Sequence, residues 1–264
     1  MTSKSINNVV YEVDGSGDAV VAIHGLGGTS NTWSPLMPVL DAYQVIRLDM
    51  PGSGRLAFDG TALSIDGFVE SVIAVMDAEG VQQAHLLGHS LGTIVCQHLA
   101  VKYPNRVKSM SLFGPLAAPA EAGRAPTRAR GGKAVNEGMA GMAEIAEQVV
   151  AGGTAEATKQ NQPAVTALVR ECLMRQDPKG YGHTCYALAE AVAADVSQLQ
   201  CPSLLITGED DKVASPEAMQ ALAQHFGKTP ATHTLSQCGH WTTFEQVEPC
   251  RRLLSEFLNS LSAS

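Results

Sequence analysis

The run Ala84-His85-Leu86-Leu87, followed at once by Gly88-His89-Ser90-Leu91-Gly92, constrains this chain more than any other segment. It reads as an apolar strand, a G-x-S-x-G turn and then a helix, the order needed where a strand folds sharply back into a helix with a serine at the apex. The two glycines remove side chains that would collide in so tight a turn. The serine can then occupy a strained backbone position that leaves its hydroxyl exposed. Ser90 is the candidate nucleophile. Two other Gly-Ser-Gly segments lack that setting: Gly15-Ser16-Gly17 lies in a polar turn, and Gly52-Ser53-Gly54 follows Pro51.

A serine hydroxyl is a weak nucleophile near neutral pH. It needs a base to take its proton and a carboxylate to orient that base and stabilise the imidazolium formed. Among eight histidines, His98 and His225 fall in helical runs, His85 and His233 in strand-like runs and His183 in a helical region, all positions that suit structural roles. His240, in Cys238-Gly239-His240-Trp241, follows the last strand-like run, where its side chain can reach the carboxyl ends of a sheet beside Ser90. It is the candidate base. Gly208-Glu209-Asp210-Asp211 follows the apolar run Leu204-Leu205-Ile206-Thr207, and Asp211 is preferred to Asp210 as the orienting acid. A glycine-rich turn, His24-Gly25-Leu26-Gly27-Gly28, follows the run Val20-Val21-Ala22-Ile23. The backbone N–H groups of Leu26 and Leu91 are the expected oxyanion donors, each worth on the order of 3 kcal/mol in a transition state.

The rest of the chain supplies a frame for these groups. Short apolar runs at 20–23, 45–48, 84–87, 109–113 and 203–207 suit strands buried on both faces, and helical patterns separate most of them. Segment 65–79 has apolar residues at helical spacing, and 91–103 is apolar nearly all round until Pro104 stops it. Ser215-Pro216-Glu217 signals a helix start, with Gly227 expected to close that helix. The last strand is expected at 231–235. A closing helix is expected over 249–258, with Val247, Cys250, Leu253, Leu254, Phe257 and Leu258 on its buried stripe. This alternation predicts an α/β fold, a mostly parallel central sheet with helices on both faces. From 119 to 191 strand character gives way to Ala- and Gly-rich amphipathic pieces, which predicts an inserted helical cap between core segments 1–118 and 192–264.

A net charge of -8 argues against nucleic acid or an anionic membrane as a partner, since both repel an acidic surface. A polar start to the chain and the lack of a long apolar run predict a cytoplasmic protein acting on a small molecule, with homo-oligomerisation left open. Six scattered cysteines without C-x-x-C spacing read as buried thiols, and neither a metal nor an organic cofactor is expected. Within the cap, Arg124, Arg128, Arg130 and Lys133 form a basic cluster, read either as solvated surface or as an attractor for an anionic substrate. Met139, Met142 and Met174 in the cap, with Trp33 and Trp241 near the expected mouth, are candidates to wall an apolar pocket, although helix packing is the plainer role for the methionines.

The order Ser90, Asp211, His240 is that of the α/β-hydrolases, and the chain resembles a member of that superfamily over essentially its whole length. The segments 25–33, 49–54, 88–92 and Gly239-His240 resemble the 3-oxoadipate enol-lactonase group and its esterase and cofactor-free haloperoxidase relatives. Asp177-Pro178-Lys179-Gly180-Tyr181 is similar to a helix entry in the cap of those lactonases. Relatives of this fold that act as haloalkane dehalogenases or epoxide hydrolases carry aspartate at the elbow, where this chain has Ser90. The resemblance implies hydrolysis of a carboxylic ester or lactone through an acyl-enzyme. Carbon–carbon bond hydrolysis or peracid and haloperoxidase-type chemistry on the same side chains, or a ligand receptor on the same fold, are the alternatives.

Overall fold

A computed structural model describes residues 2–262. Its strands are β1 (Thr2–Ile6), β2 (Val9–Asp14), β3 (Ala19–Ile23), β4 (Gln44–Asp49), β5 (Ala84–His89), β6 (Val107–Phe113), β7 (Ser203–Gly208) and β8 (Ala231–Leu235). They form one sheet in the order β1-β2-β4-β3-β5-β6-β7-β8. β1 pairs antiparallel with β2, and β2 with β4; every other neighbouring pair is parallel. The first two strands lie outside the apolar runs seen in the sequence, for a physical reason. β1 is an exposed polar edge, and β2 carries Glu12 and Asp14 among its apolar residues, so neither needs a continuous apolar signal.

The helices are α1 (Ile65–Ala78), α2 (Leu91–Lys102), α3 (Glu121–Gly153), α4 (Glu156–Asn161), α5 (Pro163–Met174), α6 (Pro178–Glu190), α7 (Pro216–Ala223), α8 (Thr242–Glu245) and α9 (Val247–Ser262). Alternate residues of β3 explain the layering. Val21 and Ile23 enter a core with α1, α2 and α7, while Val20 and Ala22 enter a second core with α9 and the 3-10 segment Ser30–Val39. A sheet dry on both faces is what its apolar strands require. Two helix ends differ from expectation. α7 stops at Ala223, and Gly227 instead donates its amide to the Val196 carbonyl at 3.0 Å. α9 starts at Val247, with Pro249 in its first turn, where a proline sacrifices no helical hydrogen bond.

Between β6 and β7 the chain is helical. α3 is interrupted at Gly138, which has φ 62°, and α6 is capped by Asp177, whose carboxylate accepts the Gly180 N–H at 2.9 Å. The core of this insert, with Met142, Ile145, Val169, Leu173 and Tyr181, continues down to Trp241 and Phe244 and touches Leu26. No helix among the described residues is long and apolar enough to cross a membrane.

The parallel register sets where the loops leave the sheet. Ile23 pairs with Gly88, His89 with Phe113, Phe113 with Ile206 and Gly208 with Leu235. β3, β5, β6, β7 and β8 therefore end nearly level, and the loops that follow open along one edge, where α/β sheets usually build their sites.

Candidate active site

Ser90 sits between β5 and α2 with φ 53° and ψ −118°, a conformation that costs a non-glycine residue roughly 1–3 kcal/mol. The elbow is held from both sides. Its N–H donates to the Phe113 carbonyl at 2.9 Å, and its carbonyl accepts the Thr93 N–H at 2.8 Å and the Thr93 hydroxyl at 2.6 Å. Gly92 lies so close to β3 that a methyl group there would collide with the Ile23 carbonyl oxygen. α2 can thus start directly under the sheet, which explains why it is apolar nearly all round.

The Ser90 hydroxyl lies 2.8 Å from His240 Nε2, and His240 Nδ1 lies 2.8 Å from Asp211 Oδ2. A carboxylate only accepts, so Nδ1 carries the proton and Nε2 presents its lone pair to the serine O–H. Asp211 is locked in turn, its Oδ1 accepting the N–H groups of Val213 and Ala214 at 2.8 Å each. The Thr207 hydroxyl sits 3.1 Å from Oδ2 and also faces the Ala214 carbonyl. Burial opposes the charge on Asp211, but His240 and the two amides outweigh it and hold the carboxyl at about 2. The choice of Asp211 over its neighbour follows from this geometry: Asp210 is exposed, with its N–H spent on the Cys238 carbonyl.

The glycine-rich loop comes within contact of the elbow. A Cβ on Gly25 would lie 2.8 Å from Ser90 Cβ, so only glycine lets this backbone approach. Gly28 N–H closes the turn on the Gly25 carbonyl at 3.0 Å, which leaves the Leu26 N–H outside that bond. Leu91 opens α2, where the first amides have no partner within the helix. His24 reinforces the loop: its Nδ1 donates to the Gly25 carbonyl at 2.7 Å and its Nε2 accepts the Met50 N–H at 3.1 Å. Burial keeps this imidazole neutral by lowering its pKa.

Three further residues bear on the site without having been marked in the sequence. His89 donates from Nε2 to the His240 carbonyl at 2.9 Å and packs against the rings of His240 and Trp241. Burial, then the nearby His240, push its pKa down to about 3, so it is a neutral spacer. Gln176, just after α5, donates to the Gly27 and Cys172 carbonyls and accepts the Gly54 N–H, tying the insert to both glycine loops. Glu245 binds the loop on either side of His240. The one signal for His89 is its place inside the G-x-S-x-G turn; buried Gln and Glu give none.

Several candidate pocket residues are reassigned. Trp33 and Met142 are fully buried in packed cores and do not wall an open pocket. Trp33 packs edge-on against Phe113 in the core beneath α9, and Met142 fills the insert. Met139 is 55 % exposed on the outside, and Met174 packs partly into the insert core. Three of the four residues of the basic cluster are engaged elsewhere. Arg124 donates to the Ala189 and Ala191 carbonyls at the end of α6, Arg128 pairs with Glu190, and Lys133 pairs with Glu137 and Glu144. Trp241, buried and stacked on Phe244, is the aromatic candidate that does adjoin His89 and His240. The six cysteines are free thiols, five of them buried and Cys201 half-buried. Among the described residues no group of three or more His, Cys, Asp or Glu side chains is arranged to hold a metal ion.

A family model described as alpha/beta hydrolase fold matches residues 18–247. The 2-hydroxy-6-oxo-6-phenylhexa-2,4-dienoate hydrolase of Comamonas testosteroni is 27% identical over 266 residues, which span 94% of this chain and 90% of that protein. Among solved structures, a thermophilic esterase from Thermogutta terrifontis superposes with a TM-score of 0.90 at 24% identity, over 96% of this chain and 93% of the other. The enol-lactonase from Burkholderia xenovorans superposes with a TM-score of 0.89 at 23% identity, covering 98% and 100%.

Proposed function

The chain belongs to the α/β-hydrolase fold family, and from that premise we propose that it is a serine hydrolase which opens a carboxylic ester or lactone through an acyl-enzyme on Ser90. The observation that carries this reading is the continuous relay from the Ser90 hydroxyl through both nitrogens of His240 to Asp211, with 2.8 Å at each link. His240 takes the serine proton as Oγ attacks the carbonyl carbon. The tetrahedral oxyanion is held by the N–H groups of Leu26 and Leu91. His240 then gives the proton to the leaving oxygen, the C–O bond breaks, and the acyl group remains on Ser90. Water, deprotonated by the same imidazole, attacks the acyl carbon and releases the acid and the free serine. Asp211 keeps the imidazole in the required tautomer throughout.

A second reading is favoured by the full-length relative whose name gives a 2-hydroxy-6-oxo-dienoate as its substrate. The same groups would then cleave a carbon–carbon bond beside a ketone. One experiment addresses both. Purified protein is treated with a fluorophosphonate and mapped by mass spectrometry, then assayed on p-nitrophenyl esters, simple lactones, enol-lactones and a 2-hydroxy-6-oxo-dienoate, with product analysis. Labelling at Ser90 with fastest turnover of an ester or lactone is expected. Fastest turnover of the dienoate moves the assignment to carbon–carbon hydrolysis, and neither labelling nor turnover of any substrate would end both readings.

A further inference from the structure

Glu245 is a buried carboxylate with no part in the steps above. It ends α8, a short helix that begins two residues after His240. Oε1 accepts the Trp241 N–H at 3.0 Å. Oε2 accepts the Gly239 N–H at 3.0 Å, the Ala155 N–H at 2.8 Å and the Thr158 hydroxyl at 2.7 Å. The amide between the two loop donors, His240 N–H, donates to the Gly153 carbonyl at 2.8 Å. The Gln162 side-chain amide donates to the Glu245 carbonyl at 3.2 Å.

These contacts come from two parts of the chain. One is the loop that carries His240; the other is the junction where α3 ends and α4 begins, within the insert. A buried carboxylate is tolerated only where donors occupy its lone pairs, and here all four donors are neutral. The peptide after His240 and the one before Gly239 are therefore held by one side chain, and the peptide between Gly239 and His240 by the Gly153 carbonyl, not by a strand ladder.

We propose that Glu245 is the positioning residue for His240: it ties the base loop to the α3–α4 junction, so that the reach of the imidazole to Ser90 depends on the seating of the insert. The proposal rests on the catalytic reading of Ser90, His240 and Asp211. Its chemistry makes an isosteric test available. In Glu245→Gln the single remaining oxygen can serve the three donors at the Oε2 position. The NH2 group then faces the Trp241 N–H, donor against donor, and the loop loosens with almost no change of shape. Thr158→Val removes only one donor on the insert side and leaves all three amide bonds in place.

Wild type, Glu245→Gln and Thr158→Val are compared by kcat and KM on a p-nitrophenyl ester, by melting temperature, and by the low-field proton resonance of His240 Nδ1–H, assigned from its loss in His240→Ala. Glu245→Gln is expected to lower kcat roughly 10- to 100-fold with KM little changed, as misplacement of a catalytic group does, and to shift or broaden the resonance. Thr158→Val is expected to lower melting temperature with a much smaller loss of kcat and an unmoved resonance. An unmoved resonance and wild-type kcat in Glu245→Gln would overturn the proposal, as would equal kcat losses in the two variants that track their melting temperatures. Should Glu245→Gln not fold, Glu245→Asp, which retracts the charge by one methylene, carries the same expectations. If wild type neither hydrolyses the ester nor reacts with a fluorophosphonate, the catalytic reading fails separately, and the resonance still decides the role of Glu245.

Discussion

A Cβ built on Gly114 would lie 2.9 Å from Cε1 of His240, so the residue after β6 is the floor on which the imidazole rests. Gly114 also has φ 58°, and its N–H donates to the Ile206 carbonyl at 2.8 Å, so this backbone cannot move aside without losing a bond between strands. Gly114→Ala should therefore tilt the ring away from Ser90. A loss of roughly 10- to 100-fold in kcat is expected, with about 1 kcal/mol of destabilisation from the left-handed backbone. Steady-state kinetics and denaturant unfolding measure the two, and an alanine variant with wild-type kcat would show that the ring does not bear on this floor.

The strain at Ser90 separates chemistry from stability. Ser90→Ala removes the hydroxyl but keeps a Cβ at φ 53°, whereas Ser90→Gly removes both. Each should lose roughly 10⁴-fold or more of kcat. Relief of an unfavourable backbone conformation should make the glycine variant the more stable of the pair, by about 1 kcal/mol after the higher entropy of its unfolded chain is counted. Thermal unfolding of the two side by side checks this; a glycine variant that melts below the alanine one would mean the elbow stores no strain.

Much of this site could be read from the chain because each catalytic candidate follows an apolar strand, and strand ends converge by register. That rule points to Ser90, Asp211 and His240, whose side chains the structure brings within hydrogen-bond reach of one another, and to the Leu26 turn, whose Gly25 lies against Ser90. Composition reveals a side chain's chemistry but not which way it faces, so the sequence leaves Arg124 open between surface and substrate attractor and Met142 between helix packing and pocket wall, and it suggests a place near the mouth for Trp33, which the structure buries in the core beneath α9. Arg124 points at the carbonyls ending α6, and Trp33 turns beneath the sheet on a 3-10 segment that contains Pro35 and Pro38. Glu245 and Gln176 were invisible for another reason: their partners are backbone groups remote in sequence, and no spacing encodes such bonds.

In the folded chain Asp211 should remain ionised down to about pH 2. Its carboxyl is held at about 2 in the folded chain, against 3.8 for the ordinary group. Its contribution to stability is therefore complete above about pH 4 and is lost as pH falls from there toward 2, amounting to about 2 kcal/mol. Asp211→Asn should lower kcat by roughly 10³- to 10⁴-fold at neutral pH by upsetting the imidazole tautomer. Its unfolding free energy should also fall less steeply than wild type between pH 4 and 2. Parallel curves across that interval would contradict the assignment.

His89 governs a different pH window. Folded, it stays neutral until about pH 3; unfolded, it takes up a proton near its ordinary 6.5. The unfolded chain binds more protons throughout this interval, so stability is full above pH 6.5 and declines as pH falls toward 3, by a few kcal/mol in all. His89→Gln keeps a donor for the His240 carbonyl and has no charge to gain. Its urea midpoint should thus fall less than that of wild type between pH 6.5 and 4, and identical slopes would remove His89 from the account.

The arginines of the insert give a test of substrate charge. Arg124 ends α6 by donating to two carbonyls, with its side chain 20% exposed, while Arg128 is paired with Glu190 at the surface. Arg124 also pairs with Glu121, so each of the two charges has a carboxylate beside it. Arg124→Ala should destabilise the fold by about 1 kcal/mol through the lost helix-end bonds. Arg128→Ala should be nearly silent, as exposed pairs are. Neither should alter the ratio of kcat/KM for an anionic ester to that for its neutral analogue. A tenfold fall of that ratio in either variant would return the cluster to the binding site and make an acidic acyl group the preferred substrate.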